Sequence, residues 1–283
     1  MKIVSIINHK GGVGKTTFTG SIAQALSLCG FRVLVIDNDS QHNLSTMLGA
    51  GVQTPNIRSV FCASSQDAPR QFLAAIRKTF LPNLNIVTAP RELSVRDVRE
   101  SLQLKACLSA CGLERFYDYI FIDNAPGLDV LQHAAIAASD GLFVPTELEQ
   151  FAIDGIVEME QMLQTAFPQG PRISRIIPNF YRNIKRHNSF LAALNTLFPG
   201  RITATAIPLD SVFDELVTDG KVLFLSRLHS KGAAFYLKLV HELFEFEEDA
   251  LWEQVVEQRN NHRAQEARER FFRQQRPSNK ENQ

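Results

Sequence analysis

Lys10-Gly11-Gly12-Val13-Gly14-Lys15-Thr16-Thr17, directly after the apolar run Ile3 to Ile7, decides the fold of this chain. A strand that ends in a glycine-rich turn can aim successive backbone N–H groups inward at a polyphosphate, because glycine permits both the backbone angles and the close approach. Gly11, Gly12 and Gly14 stand where that freedom is needed, and the backbone of Val13 and Thr17 completes the cradle. The spacing is that of a phosphate-binding loop, in which Lys15 reaches the β and γ phosphates and the Thr16 hydroxyl ligates Mg²⁺ at the start of a helix. Residues 16–28 supply the helix: Phe18, Ile22, Ala25 and Leu26 recur on one side, and Gly30 stands where a C-terminal cap belongs. The implied fold is α/β, a doubly wound, mostly parallel sheet flanked by helices.

Working outward, two further apolar runs end in carboxylates. Residues 32–36 read as a buried strand that delivers Asp37, Asn38, Asp39, Ser40 and Gln41 at its C-terminal edge, where parallel sheets place ligand-binding groups. Two aspartates after a strand serve equally well as turn formers. Tyr117-Asp118-Tyr119-Ile120-Phe121-Ile122-Asp123 is another such strand, and its terminal carboxylate is placed to hold Mg²⁺ through water. Residues 140–145 read as one more strand.

Composition sets bounds. A chain of 283 residues, 45% hydrophobic and 21% charged, can bury a full core and suits one large α/β domain with a tail. No apolar run of about 18 residues is present and residues 2–8 read as a core strand, so a cytoplasmic location is expected. The cysteines fit a reducing compartment; Cys107 and Cys111, four apart in an apparent helix, could touch a metal but lack nearby paired ligands.

The formal net charge is zero, yet charge is unevenly placed. From Gln161 through Leu209 there is no Asp or Glu, while Arg172, Arg175, Arg182, Lys185, Arg186 and Arg201 all fall within that stretch. Arg182, Lys185 and Arg186 have the spacing that puts three cations on one helix face, which would neutralise DNA phosphates without reading sequence. The alternative is a solvated basic surface. Beyond Phe246 an acidic patch gives way to residues 251–273, which could continue as helix with an apolar side only at Leu251, Trp252, Val255 and Val256. Residues 276–283 read as disordered.

The K-G-G-x-G-K-T-T form, with its second lysine at position 10, resembles the deviant Walker A motif of the ParA/MinD family of P-loop ATPases. Asp37 to Gln41 resembles the family's D-x-D-P-Q element, with Ser40 in place of proline, and Tyr117 to Asp123 followed by Asn124-Ala125-Pro126-Gly127 resembles its Walker B region. Ile176 to Asn179 and Ala206-Ile207-Pro208-Leu209-Asp210 resemble the segments that hold adenine, and Ser230-Lys231-Gly232-Ala233 resembles an element tied to nonspecific DNA contact. The resemblance implies a ParA-type ATPase domain over 1–250 and a polar, basic tail over 251–283. It implies that ATP and Mg²⁺ are bound, with Lys10, Lys15 and Asp39 catalytic, Asp39 placing the attacking water, and Thr16, Asp37 and Asp123 at the metal. Asn179, Pro208 and Asp210 are expected at the base; Asp210 keeps an acceptor for the adenine amino group, so ATP is favoured over GTP.

In that family the first lysine reaches the partner's nucleotide, so Lys10 implies a homodimer in the ATP state. A cycle follows: the dimer coats nonspecific nucleoid DNA through Arg182, Lys185, Arg186 and Lys231, and a ParB-like or cargo-adaptor protein stimulates slow hydrolysis and release. The lack of a helix-turn-helix segment before Lys2 implies the short form. A MinD-like membrane cycle is the alternative, although the tail offers only Phe271 and Phe272 for insertion. A relative of the nitrogenase iron protein would need cluster cysteines after Asp123, and none follow it.

Overall fold

The computed structural model describes residues 1–213, 223–246 and 248–274. Its sheet has seven strands: β1 (Lys2–Ile6), β2 (Val33–Asn38), β3 (Ile76–Lys78), β4 (Leu84–Val87), β5 (Tyr119–Asn124), β6 (Gly141–Glu147) and β7 (Ile173–Asn179). Their spatial order is β3-β4-β2-β5-β1-β6-β7, parallel throughout except for the β3–β4 pair. The first strand thus lies centrally, with later strands added on both sides, which is the doubly wound arrangement expected from the loop after β1.

The strands alternate their side chains between two helical layers. Val4, Val33, Val35 and Phe121 face a core shared with α1 (Lys15–Leu28), while Leu34, Ile36, Ile120 and Ile122 face α3 (Ile57–Cys62), α4 (Ala68–Ala75), α5 (Gln103–Ala110) and α6 (Val130–Ala137). Between these lies the one-turn α2 (Asn43–Met47), pressed on α1 where a Cβ on Gly20 would come within 2.6 Å of the Met47 sulfur. Full burial of such a side chain stabilises by about 1.5–3 kcal/mol, so the two layers hold the sheet from both faces.

Beyond β6 come α7 (Gln150–Ala166) and α8 (Lys185–Leu197), then α9 (Leu223–Ser226), α10 (Lys231–Phe244) and α11 (Glu248–Gln274). α10 starts at Lys231, where the Ser230 hydroxyl caps it by accepting from Ala233 N at 3.1 Å. Leu251 and Val255, at the start of the segment expected as a tail, are buried in the α1 core. Deleting the chain from 251 would therefore open that core. The segment 276–283, expected as disordered, lies outside the described residues.

Candidate functional site

β1 feeds the phosphate loop, and the loop's shape rests on two glycines. Gly12 has φ +78° and Gly14 φ +87°, a region where L side chains are strained. Gly14 is also the residue from which α1 springs, and a Cβ there would collide with the Asn179 amide. Asn8 braces the loop from below: its Nδ2 donates to Pro145 O at 2.8 Å and its Oδ1 accepts from Lys10 N at 2.9 Å. The Lys15 ammonium is folded into the loop, donating to the carbonyl oxygens of Asn8 (3.3 Å) and Lys10 (3.1 Å). Lys15 is 6% exposed, and burial lowers its pKa. A desolvated ammonium hydrogen-bonded to loop carbonyls, with Asp123 and Asp39 nearby, is suited to a polyanion.

Strand register brings the carboxylates together. Asp37 on β2 pairs with Asp123 on β5, and Asp123 also pairs with Ile6 at the end of β1. The Thr16 hydroxyl donates to Asp123 Oδ2 at 2.7 Å and the Thr19 hydroxyl reaches Asp123 Oδ1 at 3.1 Å. Asp37 lies fully buried, its Oδ2 accepting from Ser45 N (2.9 Å) and Ser45 Oγ (2.7 Å). Asp39 instead lines the open cleft, with Oδ1 accepting from Gln41 N at 2.9 Å. Burial pushes Asp37 up to about 8, with further help from the Asp123 charge, and pushes Asp123 up to about 7, with further help from Asp39.

Crowded carboxylates beside a hydroxyl form an all-oxygen donor set, which suits Mg²⁺, and the cation's charge would offset their mutual repulsion. Among the described residues no cluster of three or more His, Cys, Asp or Glu forms a ready-made cage. Thr16 and Asp123 could hold Mg²⁺, whereas Asp37, expected beside them, is turned to Ser45; when bound, Mg²⁺ would neutralise charge on the phosphates.

Lys10 leaves the cradle altogether. Its ammonium donates to Glu147 Oε2 at 2.8 Å and Glu149 Oε1 at 2.7 Å, at the end of β6 and the start of α7. Those carboxylates raise its pKa, and the lysine remains solvent-accessible. One loop therefore holds two lysines in opposite settings.

The cleft in front of the loop has a volume of about 480 Å³ and is lined by Gly12, Gly14, Lys15, Thr16, Thr17 and Asp39, and further along by Asn179, Phe180, Phe213 and Tyr236. Asn179, expected at the base, ties β7 to the loop by donating Nδ2 to Val13 O at 2.8 Å. Pro208 and Asp210 do not line the cleft. Asp210 uses both oxygens internally, accepting from Val212 N (3.1 Å) and Gly232 N (3.2 Å). A larger cavity, about 840 Å³, lies at the opposite end of the sheet between the β3–β4 turn and α11, lined by Arg32, Phe80, Phe116 and Gln258 among others, and no phosphate-loop residue reaches it.

The expected triad on one helix face needs correction. α8 begins at Lys185 with Ile184 as its cap residue, so Arg182 lies in the preceding turn, where its N–H donates to His187 Nδ1 at 3.1 Å. The residue spacing was helical, but the chain leaves β7 through Phe180 at φ +53° and an extended Ile184 before the helix begins. Lys185 and Arg186 do share the first turn, with the Arg186 guanidinium 5.5 Å from the Phe190 ring centroid. Other cations of the stretch are structural: Arg172 binds Phe167 O (2.8 Å) and Pro168 O (2.7 Å), and Arg201 pairs with Glu160 at 2.8 Å. Lys231 is exposed at the head of α10.

Sequence reasoning missed Asn8, Thr19, Ser45, Phe180 and the two glutamates that hold Lys10. Thr19 had a signal, standing three residues after Thr16 and so on the same helix face. The others depend on long-range contacts that no local pattern carries.

Among known families, one described as an AAA domain, AAA_31, matches residues 1–169. The chain is 32% identical over 259 residues to the chromosome partitioning protein ParA of Caulobacter vibrioides, covering 88% of this chain and 96% of that protein. Of solved structures, an ATP complex of McdA from Cyanothece shares the fold with TM-score 0.73 at 24% identity, over 87% of this chain and 97% of that one. The septum site-determining protein MinD of Pyrococcus horikoshii with Mg-ADP gives TM-score 0.69 at 26% identity, over 86% of this chain and 95% of that one. Among the described residues no helix is long and apolar enough to cross a membrane. The two-lysine phosphate loop is thus accompanied by similarity along most of the chain, and the protein belongs to the ParA/MinD family of P-loop ATPases, enzymes that act on ATP with Mg²⁺.

Proposed function

We propose that this ATPase positions a cargo inside the cell, and that its ATP-bound form is a dimer that binds duplex DNA without sequence preference. The observation that carries the reading is Lys10. It belongs to the phosphate loop by sequence but points away from the cradle that Lys15 fills, toward Glu147 and Glu149 at the surface. A second loop lysine turned away from its own chain's cradle is suited to a nucleotide held by a second copy. Lys15, with Asp39 at the cleft surface to orient water, then supports phosphoryl transfer in which positioning and charge stabilisation do most of the work.

The DNA-facing groups of the proposal are Arg182, Lys185, Arg186 and Lys231. Among the described residues none of these has a carboxylate ion-pair partner, unlike Arg201 in the same stretch. Lys185 and Lys231 both sit in the first turn of a helix, where the positive end of the dipole disfavours a cation and attracts phosphate. Hydrolysis stimulated by a ParB-like or cargo-adaptor protein would return the chain to the monomer and release the DNA, giving a nucleoid-associated, cytoplasmic distribution. A membrane cycle is less well supported, because Leu251 and Val255 on α11 are already buried against the core.

The test is binding to random-sequence duplex DNA with ATP, ADP or no nucleotide across a salt series, for the wild type and Lys10→Ala, with oligomeric state measured alongside. Salt-sensitive binding that needs both ATP and Lys10 is expected. DNA binding that survives as a monomer, or none despite an ATP dimer, would refute the corresponding arm.

A further inference from the structure

The cavity of about 840 Å³ at the end of the sheet opposite the phosphate loop is lined on one side by α11. Leu251, Val255, Gln258 and His262 recur at the spacing that puts them on one side of that helix. Leu251 and Val255 are buried in the α1 core, but where the helix passes over the cavity the same side turns polar, with Gln258 and His262. Apolar side chains at those positions would gain from packing, whereas polar ones are suited to a ligand that offers hydrogen bonds.

The facing wall carries two exposed rings. Phe80 is 41% and Phe116 61% exposed, and both line the cavity. The Phe80 ring rests on Gly49, where a Cβ would come within 3.3 Å of it, and the Phe116 N–H donates to Leu113 O at 2.9 Å. Around the rings stand the amides of Asn83, Gln258 and Asn261, which make no side-chain hydrogen bond among the described residues and so keep both donors and acceptor.

Charge at the cavity has one sign, since no Asp or Glu lines it. Lys78 has no ion-pair partner among the described residues. Arg32 is fixed by Asp118 at 2.7 Å and by Arg115 O at 2.7 Å, which leaves part of its donor fork unused. Two such cations suffice for one phosphate, whereas a nucleic-acid strand needs a run of them along its backbone. Exposed rings offer a stacking surface to any base, and free amides can pair with a base edge.

We propose that this cavity is a second ligand site and that it takes a nucleoside monophosphate, with the base stacked against Phe116 and Phe80, its edge met by the amides, and the phosphate at Lys78 and Arg32. No phosphate-loop residue lines it, so the site stands apart from the function proposed above.

The experiment is calorimetric titration of the whole chain, with Mg²⁺ and excess AMP-PNP present to fill the phosphate-loop cleft, using AMP, UMP, adenosine and ribose 5-phosphate as probes. AMP and UMP are expected to bind within about tenfold of each other, and adenosine and ribose 5-phosphate more weakly than AMP. Phe116→Ala should weaken AMP by about tenfold or more, and Lys78→Gln by a few-fold, a loss that shrinks as salt rises. Both side chains are exposed, so neither substitution removes core packing. No saturable binding of AMP or UMP would overturn the proposal, as would AMP binding that both variants leave unchanged. Ribose 5-phosphate binding as tightly as AMP would make the cavity a simple anion site, and tighter binding of N-acetyl-Asp-Phe-amide than of AMP would assign it to a peptide; either result also overturns it.

Discussion

Lys15 in the phosphate loop and Lys185 at the head of α8, which the proposed function sets against ATP and DNA respectively, stand in opposite settings. Lys15 is 6% exposed, and its ammonium is fixed by two loop carbonyls beside Asp39 and Asp123. Lys185 is exposed and has no carboxylate partner among the described residues. The first setting has already met the cost of desolvation and ordering, so a phosphate finds a preorganised site whose charges act at short range. The second meets those costs only on contact, in water, where salt competes. Such a difference separates chemistry on one phosphate from adhesion to many.

The largest effect should come from the buried side. Lys15→Ala removes the ammonium inside the cradle while leaving the backbone donors in place, and hydrolysis should fall by about 10²–10³-fold. The fold should persist, because alanine suits a helix start. Steady-state phosphate release together with a thermal melt reads both. An unfolded variant would show that the ammonium is a structural brace as much as a phosphate ligand.

The exposed side should respond in a different way. The triple substitution of Arg182, Lys185 and Arg186 by alanine should reduce DNA affinity, and reduce the slope of log affinity against log salt by roughly 0.9 for each DNA phosphate that is no longer neutralised. ATP affinity should not change, since none of the three lines the nucleotide cleft. Replacing Arg201 instead should cost stability and little DNA affinity, because its guanidinium is paired with Glu160. If the triple variant and the Arg201 variant weakened DNA binding equally, the contrast between structural and free cations in this stretch would fail.

The same contrast explains what could be read from the residues alone. The loop, the strands that flank it and the carboxylates at their ends were legible because each needs a particular residue at a particular spacing: glycine at φ +78° and +87°, lysine at the helix start, aspartate where an apolar run stops. Asp37 and Asp39 illustrate the limit. Their positions were evident, but that Ser45 covers the first while the second faces the cleft follows from how α2 packs, which no local pattern records. The cations were legible as composition and misread as geometry, since Arg182 fits a helical spacing but precedes the helix. Phe180 gave no sign, because a phenylalanine after a strand is ordinary until its backbone angle and its neighbours are known.

Lys10 stands between the two settings and is where the smallest effect is expected. It comes from the phosphate loop, yet it is solvent-accessible and held by Glu147 and Glu149 of its own chain. Exposed pairs of this kind contribute about 0–1 kcal/mol each, so the hold is weak enough to exchange for a phosphate on a second copy. The double substitution Glu147→Gln and Glu149→Gln frees the lysine without removing it, and ATP-dependent dimerisation should strengthen by a few-fold, about the range that such pairs allow. The gain should shrink as salt rises, because screening weakens the wild-type hold in the same way. Sedimentation across protein concentration with a non-hydrolysed ATP analogue measures it. Weaker dimerisation would carry a different meaning: the two glutamates would then be partners of the lysine within the dimer, orienting it toward the neighbouring nucleotide rather than retaining it on its own chain.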